Sequence, residues 1–151
     1  MFGEGCSRES VARFGTVRFM RIVPSMRAAS LEELLVYQKA LAVAHEVSAI
    51  LKRPCFQRDR RLFDQLTDSS DACPSLISEG FAQSTDKFFA QMCHRSKGEA
   101  KETRTHLIIA NGRDYITHDE LKSLCDRYEE VERMLTGLIH YLERSDWRNR
   151  G

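Results

Sequence analysis

From Ser30 onward, apolar side chains recur at steps of three and four residues, the spacing that lines one face of an α-helix. Leu34, Tyr37, Leu41, Ala44, Ser48 and Leu51 mark out a first helix, and Pro54 ends the run. Ser30 and Glu33 stand at capping-box spacing, where each side chain can satisfy an orphan backbone donor at a helix start. A second helix is predicted from about Asp59, with Leu62, Phe63, Leu66, Ser69, Cys73 and Ile77 on its inner face. Pro74 lies inside it, removes one backbone donor and is expected to bend or break the helix. Glu79-Gly80 followed by Ser84-Thr85-Asp86 reads as one helix ending and the next beginning. The third helix spans roughly Thr85 to Ala110 and turns Phe89, Met92, Cys93, Ser96, Ala100, Thr103 and Leu107 inward. Small residues occupy the middle of that face, which permits close helix approach, and Asn111-Gly112 closes the segment.

The fourth helix carries the clearest pattern. Thr117 and Glu120 make a second capping box. Leu121, Leu124, Tyr128, Val131, Leu135, Leu138 and Leu142 then alternate steps of three and four, a narrow seam of the coiled-coil kind. Four helices with short connections and no strand pattern predict an all-α, antiparallel up-down-up-down four-helix bundle over residues 30–145. An N-terminal extension (1–29) precedes it and a short tail (146–151) follows.

Composition supports this picture. The chain of 151 residues is 42% apolar with three prolines, enough to bury a core without metals or cross-links. No apolar run approaches the ~20 residues that span a bilayer. The five cysteines (6, 55, 73, 93 and 125) are odd in number and irregularly spaced, which suits free thiols in a reducing, cytoplasmic setting. A net charge of +1 excludes a polycation, but the charge is uneven. Residues 1–29 hold five arginines against two glutamates, whereas 31–151 balance to −2. The extension has no small-residue cleavage site after an apolar core and so does not read as a secretory signal. It reads as a flexible extension, or as upstream sequence with Met26 the true start; a transit peptide and a nucleic-acid-binding arm are the alternatives.

Three runs together resemble a known family. Pro74-Ser75-Leu76-Ile77-Ser78-Glu79-Gly80-Phe81 is similar to the I-P-S-N-I-A-E-G-F signature of the bacterial 23S ribosomal RNA intervening-sequence proteins. Gly98, Ala100, Glu102 and Leu107 fit that family's G-S-A-x-E-x-x-x-Q-L run; Tyr115-Ile116 before its last helix and Glu132, Leu135 and Gly137 within that helix also fit. Pro74, Ser75, Ile77, Glu79, Gly80, Gly98, Glu102 and Leu107 are thus the signature positions, with structural roles expected. Leu76, Glu99 and Cys73 depart from the family's Asn, Ser and aliphatic residue, so any role of that Asn is not carried over. The resemblance implies a four-helix bundle related to the accessory protein of diversity-generating retroelements. It further implies a homo-oligomer, a pentameric ring in that relative, which works beside a reverse transcriptase and structured RNA.

Read without the family, the residues offer little catalytic chemistry. Ser78 and Glu79 lie together, but no His stands at a recognisable distance to complete a nucleophilic site. Glu79 is expected instead to bond backbone donors freed by Pro74 or to reach an arginine on a neighbouring helix, with Arg104 the candidate partner for Glu79 or Glu102. His45-Glu46, Cys93-His94 and His118-Asp119-Glu120 are the suggestive metal pairs. Adjacent helix residues diverge, and none has the Glu-x-x-His spacing of a di-iron bundle. No catalytic, cofactor or metal residue is assigned. Nucleic acid is the better supported ligand: Arg58, Arg60 and Arg61 cluster ahead of the second helix, and Lys97, Lys101 and Arg104 share a face of the third. Such a face can neutralise phosphates, and a ring would multiply weak contacts. The competing class is a homo-oligomeric scaffold. Ser96, Ala100, Thr103 and Gly137 would permit close approach, and Tyr128 and Tyr141 would be interface anchors.

Overall fold

The computed structural model describes residues 30–148, and every regular element among them is helical. A 3-10 turn, Leu31–Glu33, precedes α1 (Leu35–Ile50), the short α2 (Pro54–Arg58), α3 (Arg60–Phe81), α4 (Asp86–Gly112) and α5 (His118–Arg148). Residues 1–29 and 149–151, which include the predicted extension, lie outside the described residues.

Four of the helices make the predicted bundle. α1 packs on α3 and α5, α3 on α4, and α4 on α5. Cross-links fix their directions. Thr103 of α4 meets Ser69 of α3 and Ser96 meets Cys73, so residue numbers rise on one helix as they fall on the other. Lys39 pairs with Glu130, and Arg53, just past α1, pairs with Glu120 at the start of α5. The core runs through Leu66, Ile77, Leu107, Tyr128, Leu135 and Leu142, all fully buried. The predicted seam of α5 is inside except Leu121, which is half-buried.

The helix starts divide into two kinds. Thr117 and Glu120 form the predicted capping box: Glu120 N–H donates to Thr117 Oγ1 at 3.2 Å, and Thr117 N–H donates to Glu120 Oε2 at 2.8 Å. Ser30 and Glu33 do not form theirs. Ser30 makes no side-chain capping bond, a 3-10 turn intervenes, and α1 starts at Leu35 with Leu34 as its cap. Asp59 caps α3 by accepting from Leu62 N–H, and Thr85 caps α4 by accepting from Phe88 N–H. Pro54 does more than end α1: it is the first residue of α2, where a missing N–H costs nothing.

Two further expectations are corrected. α1 buries Ala44 as expected, with Leu34 and Leu51 at its ends, but it also buries Val36, Ala40, Val43 and Val47, while Tyr37 and Leu41 are half-buried and Ser48 is exposed. The helix is wedged between α3 and α5, so both flanks of an already apolar segment go inside, and its neighbours choose the stripe. Pro74 does not break α3, which continues from Arg60 to Phe81. Contacts to α4 bracket the proline: Ser96 Oγ donates to the Cys73 carbonyl at 2.8 Å, Thr103 lies over Ser69, and Gly80 abuts Phe89. Packing on both sides offsets the lost backbone bond.

Candidate nucleic-acid interface

Position on the bundle separates the six predicted basic residues into two groups. Arg58, Arg60 and Arg61 stand at the corner where α2 meets α3. Lys97, Lys101 and Arg104 lie on the flank of α4 that faces α5. Arg113, on the Asp59 corner, is nine residues beyond Arg104, or about 14 Å along the helix. The two groups are therefore separate patches.

The α4 group opens onto a shallow groove of about 460 Å³ that α5 completes with Glu129, Glu132, Arg133 and Thr136. Its lining counts four basic and two acidic side chains. Arg104 forks onto both acids: Nη1 donates to Glu132 at 3.0 Å, and Nη2 donates to Glu129. Burial pulls the Arg104 guanidinium's pKa down, but the Glu132 bond and the charges of Glu132 and Glu129 outweigh it and leave a net rise. Lys97 Nζ donates to the neutral Thr136 hydroxyl at 2.8 Å and has no ion-pair partner among the described residues. Lys101 and Arg133 have no ion-pair partner among the described residues. Arg133 and Thr136 were not legible as site residues, because nothing near them in sequence indicates which helix they will face.

The arginine corner is partly committed to structure. Arg60 sits 5.1 Å from the centre of the Phe63 ring and 3.5 Å from Asp64. Asp59 joins three groups: it caps α3, pairs with Arg113 and accepts from the Tyr115 hydroxyl at 3.2 Å. Desolvation opposes the Asp59 charge, and these three donors together hold its pKa below the ordinary value. Arg58 and Arg61 are exposed without ion-pair partners among the described residues.

The eight signature residues divide evenly between the core and the surface. Pro74, Ile77, Gly80 and Leu107 are buried. Ser75 is exposed and donates to the Asp71 carbonyl at 2.7 Å. Glu102 is exposed and lies 3.4 Å from His106. Gly98 faces open space, so no close approach explains it. Glu79 is exposed on α3, and Arg104 belongs to Glu129 and Glu132, so the expected Glu79–Arg104 pair does not form. Tyr128, expected as an interface anchor, is fully buried, because its place on the seam points it into the core; Tyr141 is half-buried. Phe88 on α4 is exposed, at 43%.

Buried thiols make poor nucleophiles here. Burial pushes Cys93 up to about 12 and Cys73 up to about 11, far from the thiolate range. Among the described residues, no three His, Cys, Asp or Glu side chains converge as a metal site would require. No described helix is long and apolar enough to cross a membrane.

Comparison with known proteins agrees with the residue pattern. No curated protein matches the chain. Among solved structures, it is similar to a protein of unknown function from the S23 ribosomal protein family of Bacteroides thetaiotaomicron. The two share 21% identity over 70% of this chain and 98% of that one, with a TM-score of 0.64, a likeness of fold. The family pattern described as 23S rRNA-intervening sequence protein matches residues 32–137, through all four bundle helices, and the chain therefore belongs to that family.

Proposed function

We propose that this chain is a non-enzymatic, self-associating accessory protein that contacts the phosphate backbone of structured RNA, alone or beside a nucleic-acid enzyme of the reverse-transcriptase type. The observation that carries this reading is the α4–α5 groove, whose lining has a formal net charge of +2 and in which Lys97, Lys101 and Arg133 have no ion-pair partner among the described residues. Two or three phosphate contacts bind weakly, and a ring of subunits, five as in the retroelement relative, would turn them into useful affinity. A cyclic assembly needs two different patches on each subunit. Exposed Leu35 beside the α1–α5 groove, and exposed Phe88 and the Ile108–Ile109 pair toward opposite ends of α4, are apolar side chains on which such patches could be built. The non-enzymatic reading is supported by the exposure of Glu79 and by the raised thiols. The free thiols Cys55, Cys73, Cys93 and Cys125 suit a reducing cytoplasm.

A homo-oligomeric scaffold without nucleic acid is the second reading, favoured by the engagement of Arg104 with Glu129 and Glu132. Size exclusion with light scattering, recorded at 260 and 280 nm, separates the two. A ring-sized mass with excess 260 nm absorbance through a moderate salt wash supports the RNA contact. A clean ring leaves the scaffold. A monomer removes the self-association on which both depend.

A further inference from the structure

The two carboxylates on Arg104 are not equivalent. The Glu132 side chain is 11% exposed, whereas that of Glu129 is 43% exposed at the rim. Removing Arg104 from Glu132 would leave a charge out of water without a partner, a costly state. Removing it from Glu129 returns that carboxylate to solvent, where ion pairs contribute little. Around this rim stand Lys101, Arg133 and the Lys97 ammonium, whose hydrogen-bond partner among the described residues is the Thr136 hydroxyl. The guanidinium is thus held in place by an inner acid while its outer Nη2 is covered by a replaceable one.

We propose that the groove is a phosphodiester-binding site in which a phosphate of RNA displaces Glu129 from Arg104, while Glu132 keeps the guanidinium oriented. Arg bonds phosphate oxygens through the same planar fork that it uses for carboxylates, so the exchange preserves its hydrogen bonds. Lys97, Lys101 and Arg133 supply the remaining counter-charge. Glu129 acts as a built-in competitor that keeps the empty groove closer to neutral. The inference rests on the RNA-contact reading and adds the place and the exchange of partners.

The test uses the full chain and a fluorescein-labelled RNA hairpin, with affinity measured by anisotropy across a salt series. Glu129→Gln removes the competing charge with little change of shape and should tighten binding about threefold to tenfold at 0.1 M salt. Lys101→Ala and Arg133→Ala should each weaken binding and lower the log–log salt slope by about one. Urea titration checks that the three exposed-site variants stay folded. Wild-type binding that none of the three changes would overturn the groove while leaving RNA contact to another surface, such as Arg58 and Arg61. Absence of salt-dependent wild-type binding would overturn both. Displacement of the hairpin by micromolar inorganic triphosphate would reassign the groove to a free polyphosphate and overturn the phosphodiester assignment.

Discussion

Gly80 lies so close to Phe89 that a Cβ built on the glycine would stand 2.5 Å from ring atom Cδ2 and 2.8 Å from Cβ of Met92. No side chain fits there, so the glycine sets how near α3 approaches α4. Its neighbours on α4 are buried and cannot simply swing into solvent.

Gly80→Ala is therefore expected to destabilise the fold by about 1–3 kcal/mol through overpacking, despite the better helix propensity of alanine. Urea unfolding followed by circular dichroism measures it. Gly98→Ala is the matched control: open space surrounds that position, and the change should be neutral or stabilising by up to about 1 kcal/mol.

Arg104 links α4 to α5 through Glu132 and Glu129. Arg104→Met should cost about 2 kcal/mol, between the values for surface and buried pairs, because Glu132 loses its cation in a nearly enclosed place. Adding Glu132→Leu should recover most of the loss. A double variant as unstable as the single one would contradict the pairing as the cause.

Tyr128 presents the opposite case. Its hydroxyl is buried with no hydrogen-bond partner among the described residues. Burial drives its pKa up; Thr103 is near enough to oppose that rise but lies outside hydrogen-bond geometry. An unsatisfied buried hydroxyl is unfavourable, so Tyr128→Phe should leave thermal stability unchanged or raise it. Tyr128→Ala, which empties the centre of the core, should cost about 3–5 kcal/mol.

Acid should loosen the end of the bundle where α1 and α5 meet. The hydrogen bond from Arg53 and the Thr117 N–H hold Glu120 down at about 2, against an ordinary value of 4.5. A depressed carboxylate contributes stability that is present above the unfolded value and lost as pH falls through the folded one. Stability should thus decline between about pH 4.5 and 2, by about 1 kcal/mol once solvent screening of this half-exposed pair is allowed for. Glu120→Gln should flatten the part of the pH profile that wild type shows in that window.

Thiol chemistry gives an independent check of burial. Cys73 and Cys93 are fully buried with raised pKa values, so both should resist a thiol reagent at pH 8 until the protein unfolds. Half-buried Cys55 and Cys125 should react sooner in the native state. Fast labelling of Cys93 in the folded protein would contradict the packing of α4.

The helices were legible from the chain alone because their evidence is local. Step spacing placed α3, α4 and α5, and the Thr117–Glu120 capping box formed as its spacing required. Of the signature positions expected to be structural, Pro74, Ile77, Gly80 and Leu107 are buried, whereas Ser75, Glu79, Gly98 and Glu102 are exposed. The stripe on α1 was not wholly legible: Leu34, Ala44 and Leu51 are buried, but Tyr37, Leu41 and Ser48 are not, since that segment is apolar around much of its circumference and two neighbouring helices compete for it. Nor was the failure of the Ser30–Glu33 box, where a short-range pattern met a 3-10 turn.

Sequence by itself determined the class of fold, the number of long helices and the family, because periodicity, caps and short motifs are written within a few residues of one another. Only the tertiary structure decided which charges meet. It separated Arg58, Arg60 and Arg61 from Lys97, Lys101 and Arg104, took Arg104 from Glu79 and gave it to Glu129 and Glu132, and brought Arg133 into the same groove. Ion pairs act between side chains tens of residues apart, and their partners are chosen by how helices rotate and align in packing, which no local spacing encodes.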